Sequence, residues 1–417
     1  MRVFLFSLLV LSFVVGGFGL TTLQTRSSTP TGLGGFAPES IVPLEGSLPF
    51  ATILCQFPGT GSPPNTTGFF DEMMGDDQPG LGHYWSTVSH DAIDLDGSTV
   101  FGWYELPSPL ADYETETADR TGDCLAAANA DIDFDGFWGI NLVFSHPSGG
   151  ASGGRVEFPL DGPAREFGVT WIEPDTSGDF HQATFAHEMG HAFGFPHSSG
   201  PGEDPPDSWW DVMSNPADLC VIYTGHNDPT LGCVATPPLA YLSHLFGWIG
   251  DTRVITLVPG APPRTVELQC VVHDGLDANL ILVPRGDGRF YTIEVRCSDY
   301  RYQDYIGFVG NKHAFIHDLD PSRMVAGDPR PLVVISSTGV TNSSTGVRWT
   351  VGEEFEATDI PFTMDVLEHV GDGLRLRLTL DDLPTDTTPT VTVAPSTTPG
   401  PTPDYQYRSF APNAAKD

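Results

Sequence analysis

The stretch "AHEMGHAFGFPH", Ala186–His197, carries three histidines and one glutamate. On a helix His187 and His191 are four residues apart and project from one face. Two imidazoles held this way can share a zinc ion, at roughly 2.0–2.1 Å from each nitrogen. Glu188 sits beside the first ligand without occupying its slot. It is placed as a general base to take a proton from a metal-bound water. Gly194 falls where the helix must stop, and glycine can take the left-handed conformation that turns the chain. His197 can then swing back as a third ligand, with Pro196 stiffening the return. Three protein ligands leave one position open for water, the arrangement of a catalytic zinc rather than a structural one. A bare H-E-x-x-H recurs by chance; the full H-E-x-x-H-x-x-G-x-x-H is far more demanding.

That motif resembles the metal-binding signature of the metzincin zinc endopeptidases, which carry a methionine turn beneath the metal. "SWWDVMSNP" follows, with Met213 sixteen residues after His197. The resemblance implies that Met213 packs under the ligands as a hydrophobic floor and is not itself a ligand. Several metzincins have a tyrosine two residues past this methionine; here that position is Asn215, so no such tyrosine is assigned. "FFDEMM", "YWSTVSHDAIDLDGSTVFGWYELP", "LAYLSHLFGWIG" and "FYTIEVRCSDYRYQDYIGFVGNKHAFIHDLD" are similar to segments of secreted immune inhibitor A-like and gametolysin-like peptidases. The similarity spans roughly Leu48 to Leu380. Immune inhibitor A-like enzymes can depart from the third histidine, whereas this chain keeps His197.

Weaker candidates surround the motif. In "DIDFDGF", Asp131, Asp133 and Asp135 alternate before Gly136, a pattern that can wrap a calcium ion. Leu142 stands where an EF-hand would place its bidentate glutamate, so this is no EF-hand, and a solvated acidic connection is the plainer reading. His181 reads as a surface or supporting histidine rather than a ligand. His244, in "YLSHLFGW", sits on an apolar helical run and reads as core. Trp209 and Trp210 suit either a cleft wall or core packing. "PSGGASGGR", Pro147–Arg155, lacks the Lys-Ser/Thr end of a phosphate loop and reads as a flexible loop near the cleft.

These residues need a frame. The helix carrying the motif is expected over Asp179–Phe193, with Ser177 or Asp179 as its N-cap. Ahead of it, "LPFATILCQF", "STVFGWYEL" and "FWGINLVFSH" read as strands, and "FFDEMM", "LGHYWSTVSHDAI" and "GDCLAAANADIDF" as helices. From about Asp251 the texture becomes short β-rich runs from "RVITLV" to "LRLRLTL", separated by Gly, Pro and Asp. The expected fold class is α+β: a metzincin-like catalytic domain, with a twisted mixed sheet and active-site helix, followed by a β-sandwich or jelly-roll-like domain.

The expected organisation is a signal peptide over 1–20, a short pro-segment or linker over 21–45, a zinc protease domain over 46–250, a β-sandwich over 251–381 and a Pro/Thr-rich tail over 382–417. "MRVFLFSLLVLSFVVGGFGL" has the order of a secretory signal: Arg2, an apolar run, then small residues. Six cysteines without a C-x-x-C pair fit three disulfides in an exported protein. Proximity favours Cys220–Cys233 and Cys270–Cys297, leaving Cys55 with Cys124, although fifteen pairings are formally open. A net charge of −35 with only two lysines, Lys312 and Lys416, argues against nucleic acid or an anionic membrane as partner.

The expectation is a secreted, monomeric zinc endopeptidase without stable membrane insertion, acting on proteins or peptides, with Zn2+ as cofactor and Ca2+ as a second candidate. Two rivals come from other classes. One is a surface adhesin with a vestigial zinc site, against which the intact Glu188 speaks. The other is a zinc amidase acting on a non-peptide substrate, which the metal motif alone does not exclude.

Overall fold

The structure is a computed structural model that describes residues 43–115, 117–148, 150–200, 208–214, 227–273, 278–297, 312–326, 332–335 and 345–383. They form a mixed α+β protein with several sheets and few helices. The N-terminal signal stretch, most of the expected pro-segment, the Pro/Thr-rich tail from 384 onward, Asn215 and Cys220 lie outside the described residues. No described helix is long and apolar enough to cross a membrane.

The strands of the first half are β1 (Gly46–Ser47), β2 (Phe50–Gln56), β3 (Ile93–Asp94), β4 (Thr99–Glu105), β5 (Gly139–Phe144), β6 (Ser152–Phe158) and β7 (Arg165–Ile172). Its helices are α1 (Thr67–Met74), α2 (Leu81–Val88), α3 (Leu110–Glu114), α4 (Arg120–Ala128) and α5 (Gln182–Phe193). Five strands make one sheet in the order β4-β2-β5-β7-β6. Its first four strands run parallel, and only β6, at the edge, is antiparallel to its neighbour. A parallel strand covered on both faces is largely apolar, and β2 is, apart from Thr52, which is buried and accepts from Asn141 at 3.0 Å, and Gln56 at its end. Phe50 and Leu54 enter the core shared with α1, α2 and α5, while Ala51, Ile53 and Cys55 enter the core shared with α4. The Cys55–Cys124 disulfide fixes α4 to the second face.

Local chemistry shifts several expected boundaries. α2 stops at Val88 rather than reaching Ile93, because His90 and Asp91 take left-handed φ values of 56° and 59°. α4 ends at Ala128, so the run from Asp131 is a turn and a short 3-10 helix, not helix continuation. α5 begins at Gln182, not Asp179: the Asp175 carboxylate accepts from the backbone N–H of Ser177 (2.8 Å) and Asp179 (3.0 Å), which turns the chain before the helix. The glycine-rich stretch expected as a flexible loop is strand β6 from Ser152 onward. Its glycines answer to packing, since a Cβ on Gly153 would collide with the backbone of Glu188.

The second half begins with a short hairpin, β8 (Asn227–Asp228) with β9 (Gly232–Cys233), and helix α6 (Ala240–Leu245). β10 (Val254–Thr256), β11 (Arg264–Gln269), β12 (Leu280–Pro284), β13 (Phe290–Cys297), β14 (Lys312–Leu319), helix α7 (Pro321–Ala326), β15 (Leu332–Val334), β16 (Glu354–Glu356), β17 (Phe362–Val370) and β18 (Gly373–Leu380) follow. They form two sheets, β10-β12-β13-β14-β15 and β11-β18-β17-β16. Both sheets send alternate residues into one core, Ile281, Ile293 and Val295 from the first against Met364, Val366 and Leu376 from the second. Cys270–Cys297 closes beside it. The "RWTV" run yields a single bridge, Trp349 to Ala314, and not a strand. Strand β17, not singled out from sequence, has its apolar alternation at Phe362, Met364 and Val366 followed by Glu368 and His369.

The two halves are not separately cored. Leu319 and Leu332, from the first of these two sheets, lie in the same apolar cluster as α5. All described residues belong to one compact unit.

A candidate metal centre on helix α5

Helix α5 is buried along most of its length, against β6, β7 and loop 208–214. It ends at Gly194, whose φ of 107° and ψ of 13° are left-handed. The Gly194 N–H reaches the carbonyls of Gly190 (3.1 Å) and His191 (2.9 Å), and Phe195 N–H reaches Gly190 (2.9 Å). Two more terminal carbonyls, Ala192 and Phe193, accept from the Arg155 guanidinium at 3.2 and 3.4 Å. A cation there also suits the negative end of the helix dipole. The chain then doubles back and delivers His197 to the face carrying His187 and His191, as the motif predicts.

The three imidazoles form a group that could hold a metal ion, and it is the one such His/Cys/Asp/Glu group among the described residues. His191 Nε2 lies 3.2 Å from His187 Nε2 and 3.0 Å from His197 Nε2. A tetrahedral ion at roughly 2.0–2.1 Å from each nitrogen would hold its ligand nitrogens roughly 3.3 Å apart, close to this spacing. The opposite ring nitrogens fix the protons. His187 Nδ1 meets the Val212 carbonyl at 2.6 Å, and His191 Nδ1 meets the Phe195 carbonyl at 2.9 Å. A carbonyl can only accept, so both Nδ1 atoms carry the proton and both Nε2 atoms are bare. Two bare lone pairs facing each other repel unless a cation sits between them. The donor set therefore fits a metal, and the second-nitrogen bonds are those that orient metal-ligating histidines.

Electrostatics agree. Burial pushes His187 down to about 4, against its hydrogen bond to Val212. Burial and then the neighbouring His187 take His197 to about 3. His191 falls well below its ordinary value through burial and both neighbours. All three are thus neutral near pH 7, the state a metal requires. Glu188 is 7% exposed, and burial alone raises its carboxyl to about 8.

Loop 208–214 supports the ligand set from below. Val212 offers its carbonyl to His187. Met213 is fully buried against α5, and a Cβ on Gly190 would fall on its sulfur. The Met213 carbonyl accepts from Ser198 N–H at 2.9 Å, next to the third histidine. The Asp211 carboxylate stiffens the loop by accepting from Met213 N–H at 3.2 Å and from the Ser198 hydroxyl.

The other candidates are placed elsewhere. Asp131, Asp133 and Asp135 do not converge as a ligand group. Asp131 accepts from the Tyr104 hydroxyl at 3.0 Å, and Asp133 accepts from Asp135 N–H at 3.2 Å. His181 is the residue before α5, not on it; it bonds Cys233 N–H (3.1 Å) and faces Asp175 (3.2 Å). His244 Nδ1 lies 2.8 Å from the Ile249 carbonyl. Trp210 is buried against Phe315, centroid to centroid 5.2 Å, and Trp209 is half-buried. Sequence reasoning missed Gly190, Arg155 and the Val212 carbonyl. Gly190, mid-helix where glycine is costly, was the legible clue to a close approach.

No protein-family model matches the chain, and a search of curated proteins finds no match.

Proposed function

We propose that this protein is a secreted zinc-dependent endopeptidase of the metzincin type, its catalytic half followed by a β-sandwich of the jelly-roll kind. The observation that carries the reading is the convergence of His187, His191 and His197, with Glu188 next to the first of them on α5. An all-imidazole donor set with a fourth position left for water suits zinc chemistry. When bound, the ion would supply Lewis acidity to a scissile carbonyl and to water.

The chain's own residues do the rest. His187, His191 and His197 hold the ion in one geometry through their main-chain anchors. Glu188 accepts a proton from the attacking water and returns it to the leaving amine. Strand β6 ends its sheet and packs on α5 at Glu188. An extended peptide adding to that edge by main-chain hydrogen bonds would lie alongside the histidines. The disulfides Cys55–Cys124 and Cys270–Cys297 are compatible with an oxidising, extracellular setting.

Casein or gelatin hydrolysis by the purified protein tests this. Activity should vanish with a chelator and return with zinc. A folded, zinc-loaded protein that cleaves neither substrate nor any member of a peptide library would contradict it.

A further inference from the structure

The second half of the chain reaches the loop beneath the candidate metal centre, and one of its contacts there is a buried arginine. Arg296, on β13, is 4% exposed and makes four hydrogen bonds. Its Nε meets Glu294 at 2.5 Å. Its Nη1 bonds the carbonyls of Trp210 and, at 3.0 Å, Pro237, and its Nη2 bonds that of Pro238 at 3.1 Å. The second oxygen of Glu294 accepts from Ala240 N–H, at the start of α6, at 2.7 Å. Glu294 is itself 1% exposed.

A buried ion pair is a poor source of stability, because desolvation offsets its attraction and apolar residues of the same volume often serve as well. What a guanidinium supplies is direction: a planar fork that fixes several acceptors at once. Here one of those acceptors is Trp210, two residues before Val212 and three before Met213. Those two residues orient His187 and floor α5, and the loop's other bonds hold Ser198 beside His197. A second tie runs in parallel. Ser199 pairs with β15, Ser199 N–H to Leu332 O at 2.9 Å and Val334 N–H to Ser199 O at 3.1 Å. Trp210 adds an apolar anchor against Phe315, Val334 and Val347.

We propose that Arg296 is a positioning residue for the metal centre: from the β-sheet half it holds loop 208–214 in the register that aims His187 and His197. This rests on the reading of His187, His191 and His197 as metal ligands. The β half is then part of the working site and not an appended module.

The test uses the full chain, stripped of metal and titrated with Co2+, whose visible absorption reports ligand geometry. Variants are Arg296→Met, which removes the fork, and Arg296→Lys, which keeps the charge but can satisfy fewer of the carbonyls. Arg285→Met is the control. The Arg285 side chain is also largely buried and ion-paired, to the more exposed Asp318 and Asp359, and its hydrogen bonds go to those two residues rather than to loop 208–214. Both Arg296 variants should bind Co2+ about ten-fold or more weakly, as outer-shell losses typically do, with an altered absorption band. Arg285→Met should lower the melting temperature with the band unchanged. Should Arg296→Met not fold, Arg296→Lys carries the test. A folded Arg296 variant with wild-type Co2+ affinity and spectrum overturns the proposal. A wild-type chain that binds neither Co2+ nor Zn2+ overturns the metal reading beneath it.

Discussion

His187 Nδ1 lies 2.6 Å from the carbonyl oxygen of Val212, a residue twenty-five positions downstream. The contact fixes the proton on the outer nitrogen and leaves the inner one bare. Nitrogen chemical shifts of the metal-free protein should therefore show His187 and His191 as Nδ1–H tautomers at pH 6–7. A proton on Nε2 of both rings would contradict the arrangement.

A second relationship, Met213 beneath Gly190, gives a stability prediction. Alanine would improve helix propensity by about 1 kcal/mol. Its methyl, however, would occupy the place of the Met213 sulfur. Overpacking typically costs about 1–3 kcal/mol, so the clash outweighs the propensity gain. Gly190→Ala should lower the melting temperature. In Gly190→Ala/Met213→Ala the two costs should not add, because Met213→Ala vacates the space that the added methyl enters. Simple additivity in urea unfolding would show that the two side chains do not compete for one space.

How much of this was legible beforehand divides along physical lines. The ligand triad and Gly194 are local: four-residue spacing and a helix stop are written in consecutive residues. So is β2, whose apolar run, broken only by Thr52, suits two covered faces. The edge strand β6 was not legible, because its glycines match a flexible loop until α5 is seen pressing on Gly153. The start of α5 was misplaced by three residues because Asp175 caps a turn instead of the helix. Arg296 and Val212 act across long sequence separations, one through a fork and one through a main-chain oxygen, and no spacing rule reports either.

Part of the acid sensitivity should trace to a histidine outside the metal centre, beside the contribution of the site's own depressed histidines. His317, on β14, is 2% exposed, and burial lowers its pKa from 6.5 to about 4. Between those values the unfolded chain binds a proton that the folded one refuses, so stability is lost as pH falls from 6.5 toward 4. The full shift corresponds to about 3 kcal/mol. Thermal unfolding of His317→Asn should show a shallower dependence over this window than wild type. Equal slopes would place the acid sensitivity elsewhere.

The central claim, that three histidines hold a metal on which Glu188 acts as proton carrier, is tested most directly by Glu188→Gln. Zinc content and casein hydrolysis are measured on the same purified sample, beside wild type. The expected result is about one zinc per chain in both proteins, with hydrolysis lost in the variant by roughly 100-fold or more, as removal of a general base predicts. Zinc-loaded Glu188→Gln that cleaves casein at the wild-type rate would contradict the account.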